Sequence, residues 1–367
     1  MTYPFLRGAS TALLFISALC WLVMGKVEPT VAADRLLKAD YGGTTLQGLV
    51  LADDAEQVQI LGNDGQVRLL AKNKLARPQW TQGAFAASTA AELKTQLLRE
   101  FGKGFDVSGT GHYLVVHPAG QRDAWAARFE EIYRSFRWYF QVRSFPLQNP
   151  RFILVAVVFP TQNDFLRFSA QQGNPVTSNV LGYYEPKSNR VYMYDYTAGR
   201  NSSADWQTNA ETVIHEVTHQ MAFNSGVHSR FGQQPKWVVE GLATLFEAPG
   251  VWNGLKKTTP ADRINRNLLL QFRATMPRRQ KGALLQFISN DRAFDQAGSG
   301  GYAEAWALSH YLTETNPKGY AKYLQITGAT KNAGSSASDR VREFSSCFGS
   351  DLAVLEANFL RYMVEIR

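Results

Sequence analysis

Five consecutive residues, His215-Glu216-Val217-Thr218-His219, carry the strongest chemical signal in the chain. On a helix, residues four apart lie one turn above each other. Two imidazoles at this spacing therefore reach one metal ion from the same side, with the intervening carboxylate alongside. A third donor follows twenty-one residues after His219: Glu240, in Pro235-Lys236-Trp237-Val238-Val239-Glu240-Gly241-Leu242-Ala243. His215, His219 and Glu240 as ligands leave the fourth position of a tetrahedral zinc ion open, which is the catalytic rather than the structural arrangement. The reading is one Zn²⁺ per chain, with Glu216 placed to take a proton from water attacking a polarised carbonyl.

Helices must position these groups, and the surrounding residues supply them. Thr208 and Glu211 have capping-box spacing, and Gly226 suits a C-terminal stop. Ala210, Val213, Ile214, Val217 and Met221 follow a helical period whose centre lies nearly opposite the two histidines, so one face packs while the other holds metal. Around Glu240, Pro235 suits a first helical turn, the apolar pattern runs on through Leu245 and Phe246, and Pro249-Gly250 suits a stop. Gly241 costs about 1 kcal/mol of helix stability relative to Ala, which points to a close approach by another backbone or by the metal-bearing helix.

With HEVTH followed at this distance by WVVEGLATLFE, the chain resembles the gluzincin branch of the zincin metallopeptidases, the thermolysin-like or MA clan. The succession GYYEPKSNRVYMYD, HEVTH, PKWVVEGLATLFE and GYAEAWALSHYL is similar to a peptidase-like family known as a domain of unknown function, over roughly residues 90 to 365. The resemblance implies zinc at His215, His219 and Glu240, a general base at Glu216, and a phenol aligned on the substrate oxyanion at Tyr302. Many gluzincins place an Asp four residues after the ligand Glu to orient a zinc-binding His. This chain has Thr244 there, whose hydroxyl can accept a hydrogen bond, and Glu247, seven residues on, is the alternative. The GxMEN amine-binding motif is absent, which favours an endopeptidase over an aminopeptidase. Ala222 and Ser225 stand at the Gly and third His positions of the longer HExxHxxGxxH pattern.

The fold class expected is α+β: a zincin-like domain with a small sheet, an HExxH helix and a helical C-terminal part, preceded by a small SH3-like β-barrel. Arg190, Val191, Tyr192, Met193 and Tyr194, continuing to Tyr196, are expected as the edge strand beside the cleft, where an extended peptide or protein substrate adds as another strand. The rival reading is a non-catalytic zinc-fold binding module of the cell envelope. Glu216 argues against it, because a structural site has no use for that carboxylate.

The rest of the chain fits an exported globular protein of 367 residues, 45% hydrophobic. Residues 1–33 read as a signal peptide: Arg7, an apolar run over 11–24, then Val31-Ala32-Ala33 before Asp34. That run is shorter than the ~20 apolar residues of a membrane span, so none is expected after cleavage and the destination is secreted, periplasmic or envelope-associated. With Cys20 gone, Cys347 is the remaining thiol and has no internal disulfide partner. Residues 34–80 read as the small β unit, with runs at 44–51, 57–61 and 66–71, an Asn63-Asp64-Gly65 turn, and a role in binding or spacing. A linker over 81–91 and the metallopeptidase domain over 92–367 follow. Helices are expected at 122–140, 263–276, 302–315 and 351–365, and a strand buried on both faces at 152–159.

Other chemistries lack support. The net charge of +8 is spread over a chain with 19% charged residues, and Arg278-Arg279-Gln280-Lys281 lacks the interleaved aromatics of a nucleic-acid groove. GxSxG and phosphate-loop motifs are absent. His228 reads as an exposed loop histidine, and His112, His117 and His310 have no partners at ligand spacing.

Overall fold

The computed structural model describes residues 34–121, 124–195, 203–253, 258–295, 300–329 and 336–367. The proposed signal segment lies outside them. The chain opens with β1 (Asp34–Tyr41), β2 (Thr44–Asp53), β3 (Gln57–Gly62), β4 (Val67–Ala71) and β5 (Ala76–Gly83). These pair antiparallel in the order β4-β3-β2-β1-β5 around a small core of Leu37, Ala39, Val58, Ile60 and Leu70. The expected β unit is this sheet, with β4 and β5 as its edges; no ladder between them closes it into a barrel among the described residues. Gly65, at φ +80°, supplies the left-handed residue of the β3–β4 turn. Because β5 runs to Gly83, the connection to the next element is shorter than the 81–91 expected.

That element, α1 (Ala90–Phe101), starts on a full capping box made by Thr89 and Glu92. Then come β6 (Phe105–Gly109), β7 (Tyr113–Pro118), α2 (Ala124–Gln141), β8 (Leu154–Phe159), α3 (Gln162–Gln171), β9 (Gly182–Glu185) and β10 (Arg190–Tyr194). The second sheet has the order β6-β7-β8-β10-β9, parallel across β7/β8 and β8/β10 and antiparallel at both margins. Alternation along β8 explains its layering. Leu154, Ala156 and Val158 face a core shared with Phe129 and Phe136 of α2, while Val155, Val157 and Phe159 face Leu93 and Leu97 of α1 and Phe165 of α3. The sheet is therefore covered on both faces, as its unbroken apolar sequence predicts.

From here on the chain is helical: α4 (Ser203–Asn224), α5 (Lys236–Phe246), α6 (Pro249–Trp252), α7 (Arg266–Thr275), α8 (Ala283–Ser289), α9 (Gly301–Thr315), α10 (Pro317–Ala329), α11 (Ala337–Phe348) and α12 (Leu352–Glu365). The molecule is thus α+β, with a β-sheet region first and a helical C-terminal part. Val213, Ile214, Val217 and Met221 of α4 and Trp237, Val238, Leu242 and Leu245 of α5 are buried in one continuous core. Among the described residues no helix is long and apolar enough to cross a membrane.

Candidate metal centre

Val213, Ile214, Val217 and Met221 of the stripe on α4 are buried as its period predicts, which turns His215 and His219 to the opposite side. The start of the helix differs from expectation. It is already formed at Ser203, because nothing in Ser203-Ala204-Asp205-Trp206-Gln207 breaks a helix, so Thr208 lies inside it and not at its start. Gly226, at φ +81°, follows its end as predicted. On α5, Pro235 is the N-cap, and Pro249 opens α6 instead of merely ending α5. Gly241 allows the close approach its cost implied, and the approaching chain is α9. A Cβ there would lie 2.7 Å from the carbonyl oxygen of Ala305 and 2.2 Å from Ser309 Oγ.

The three expected ligands converge. His215 Nε2 and His219 Nε2 are 3.0 Å apart, and Glu240 Oε2 lies 3.3 Å and 3.5 Å from them. The rings stand nearly perpendicular, at 84°. Zinc–donor bonds of about 2.0–2.2 Å give tetrahedral donor–donor edges of about 3.3–3.6 Å; the two edges to Glu240 match, the His–His edge is shorter, and the donor set is the kind that Zn²⁺ takes. Among the described residues, these three side chains form the group able to hold a metal ion.

The surroundings orient His215. Its Nδ1 lies 2.8 Å from Glu247 Oε1, and the other oxygen of Glu247 accepts from Asn265 Nδ2 at 2.7 Å. Asn265 is fixed in turn as the N-cap of α7, accepting from Leu268 N. A proton on Nδ1 donated to Glu247 leaves the Nε2 lone pair facing the cluster. Thr244 does not share this task. Its hydroxyl donates to the carbonyls of Glu240 and Gly241, at 2.8 and 3.1 Å.

Electrostatically the site favours a cation. Burial opposes charge on His215, but Glu240 and Glu247 prevail and hold its pKa well above the usual imidazole value in the metal-free protein. Burial would raise Glu240, yet the two histidines hold it far below the usual carboxylate range. Burial pushes Glu216 up, against the pull of both histidines and of a main-chain hydrogen bond. That bond comes from Tyr184 N, 2.7 Å from Glu216 Oε2.

Tyr184 belongs to β9, and here the expected edge strand is corrected. Arg190, Val191, Tyr192, Met193 and Tyr194 form β10, which is buried throughout and lies between β8 and β9. The hairpin leaves the turn with its second strand pairing inward, parallel to β8, so the first strand takes the margin. Residue Tyr196 of that expectation lies outside the described residues. Arg190 is held by two hydrogen bonds to Glu100 of α1, at 2.6 and 3.0 Å, and does not line a cleft.

Tyr302 is half-exposed at the start of α9, its ring edge-on to Phe294. Burial pushes its phenol up to about 12, with Glu240 and Glu216 adding to the rise, so the hydroxyl lies in the field of both carboxylates. His228 differs from expectation. It is buried against Phe223, and burial, helped by the charge of His219, pushes it down to about 3.

A buried amide network escaped the sequence reading. Asn189, at φ +59° in the β9–β10 turn, exchanges hydrogen bonds with Asn224 of α4 at 2.9 and 2.7 Å and accepts from the Tyr184 hydroxyl at 2.8 Å. Gln220 donates to the carbonyls of Asn189 and Val155. Together they fasten α4 to the hairpin. Asn265 was findable, as an Asn three residues before the apolar run Leu268-Leu269-Leu270, the distance at which an N-cap side chain reaches a backbone N–H. The Tyr184 main-chain contact leaves no mark in side-chain type.

Residues 209–333 match the family model described as a protein of unknown function (DUF1570). The span contains all three converging donors together with Glu216, Glu247, Asn265 and Tyr302. The chain has no match among curated proteins.

Proposed function

We propose that this chain is a zinc-dependent endopeptidase of the gluzincin type, exported by its N-terminal segment. The donor triangle of His215, His219 and Glu240, with edges of 3.0, 3.3 and 3.5 Å and the partly buried Glu216 carboxylate beside it, carries the reading. A zinc ion held there supplies the Lewis acidity that polarises a scissile carbonyl and acidifies water.

The chain's own groups do the rest. Glu216 takes the proton as water attacks and delivers it to the leaving amine. The Tyr184 N–H steadies one oxygen of that carboxylate and leaves the other to act. Tyr302 donates its phenolic proton in a hydrogen bond to the oxygen that gains negative charge, and its raised pKa keeps that proton available at neutral pH. β9, whose outer margin is unpaired among the described residues, offers it to an extended peptide, which reads main chain and suits cleavage within a polypeptide.

The test pairs metal analysis with cleavage. Zinc-loaded protein should carry one zinc per chain and cut a proteome-derived peptide library, and a chelated sample should not. Glu216→Gln should keep its zinc while cleavage drops about a hundredfold or more. Less than about a tenth of an equivalent of zinc after loading and desalting at neutral pH would end the assignment. A Glu216→Gln protein as active as wild type would move the chemistry elsewhere.

A further inference from the structure

The N-terminal sheet is wired to the candidate site through one turn. Where β3 meets β4, Val67 N donates to Lys187 O in the β9–β10 turn at 2.7 Å. Arg230, in the α4–α5 connection, bridges the same two turns: its Nη2 donates to Gly65 O at 2.9 Å and to Pro186 O at 2.6 Å, and its Nε reaches Pro186 O at 3.2 Å. Gly65 is required by contact as well as by φ, since a Cβ there would meet the Phe152 ring at 3.0 Å. Neighbouring Asp64 accepts from Gln96 of α1 at 3.1 Å. A sheet serving only as a spacer would not place main-chain groups of its turn in register with a turn of the other sheet.

Two residues beyond Pro186 toward the N-terminus is Tyr184, whose main-chain N–H holds Glu216 and whose ring stacks on Phe223 of α4. Arg230 also acts on the Tyr184 phenol, opposing its burial-driven rise. β9 is only four residues long and, among the described residues, has a strand neighbour on one side, so its ladder alone constrains it weakly.

We propose that Arg230 and the β3–β4 turn form a clamp that fixes edge strand β9 against α4, making the N-terminal sheet a positioning element for the main-chain N–H that holds Glu216. The catalytic consequence rests on the peptidase reading; the mechanical coupling does not. Arg230 is a positioning residue here, acting through β9.

Amide hydrogen exchange on the full zinc-loaded chain tests the coupling directly. Two independent variants cut the clamp: Arg230→Met removes the bridging donors, and Val67→Pro removes the N–H given to Lys187. Proline is tolerated at the first position of a strand, where β4 begins. In both, exchange at residues 182–185 should accelerate about tenfold or more while β8 stays protected and zinc remains at one per chain. Unchanged exchange at β9 in either folded variant overturns the clamp, as does acceleration shared equally by β8, which marks general loosening. The activity arm is separate: where wild type cleaves peptides, both variants should lower kcat about tenfold with zinc retained. A wild-type kcat alongside accelerated β9 exchange would overturn the link to Glu216. An inactive wild-type protein would count against the peptidase reading and leave the exchange result to decide the clamp.

Discussion

Replacing Glu247 by alanine removes the acceptor that holds His215 Nδ1 at 2.8 Å and strands Asn265 Nδ2, whose 2.7 Å partner is the same carboxylate. His215 then becomes free to rotate and to exchange tautomers, so part of the binding energy is spent on restoring its orientation. Loss of such an orienting partner typically costs 10–100-fold in metal affinity, about 1.4–2.7 kcal/mol. Zinc affinity measured by competition with a chromogenic chelator at fixed pH should fall by that factor, with helix content unchanged. Glu247→Gln is the finer probe. Its single amide oxygen can accept from His215 or from Asn265 but leaves donor facing donor at the other contact, so its loss should be smaller than that of alanine. Thr244→Val is the control, because that hydroxyl serves only carbonyls of its own helix, and affinity should stay within about twofold. A Glu247→Ala protein that binds zinc within threefold of wild type would refute the orientation argument.

Tyr302→Phe keeps the ring on Phe294 and removes the hydroxyl, so kcat should fall about a hundredfold, from the ~2.7–4 kcal/mol of one oxyanion donor, with little change in KM or zinc. Steady-state kinetics equal to wild type would return Tyr302 to a packing role. Gly241→Ala gains about 1 kcal/mol of helix propensity but drives a methyl into Ala305 O, and overpacking of about 1–3 kcal/mol should lower Tm in a calorimetric scan. An unchanged or higher Tm would show that α9 yields easily. His310 is buried on Trp306 and pushed down by burial, with Arg263 adding, to about 4. Between that value and about 6.5 the unfolded chain binds the extra proton, so stability is present above pH ~6.5 and drains as pH falls, by up to about 3 kcal/mol at pH 4. Denaturant unfolding of His310→Phe at pH 7 and 4.5 should show a flatter acid dependence than wild type, and an equally steep one would sink this assignment.

The donor set was legible because helix geometry turns spacing into direction. Glu247 and Thr244 both lie on the Glu240 side of the helix, seven and four residues on, and only reach separates them: the short threonine hydroxyl is consumed by its own backbone, while a carboxylate at the helix end extends to His215. Arg190–Tyr194 of the β9–β10 hairpin was legible as a strand but not in its placement. Both strands are short and apolar, and which one pairs with β8 is decided by long-range backbone bonds that leave no period in the sequence. The docking of the N-terminal sheet is hidden for the same reason, since Val67 and Lys187 meet through main-chain atoms. Local capping preference misplaced the start of α4, because a cap is worth about 1 kcal/mol and an unbroken helix-compatible run outweighs it.

The faces of α4 and α5 opposite the candidate donors belong to one core, so the gap between His219 and Glu240 depends on how Val217, Met221, Leu242 and Leu245 fill space. On the zinc reading, an ion tolerating only a few tenths of an ångström in its bonds acts as an internal caliper for that interior. Trimming any of these apolar residues should register first as faster zinc release, before a loss of helix is visible. On that reading, zinc occupancy is the first readout of a loosening interior.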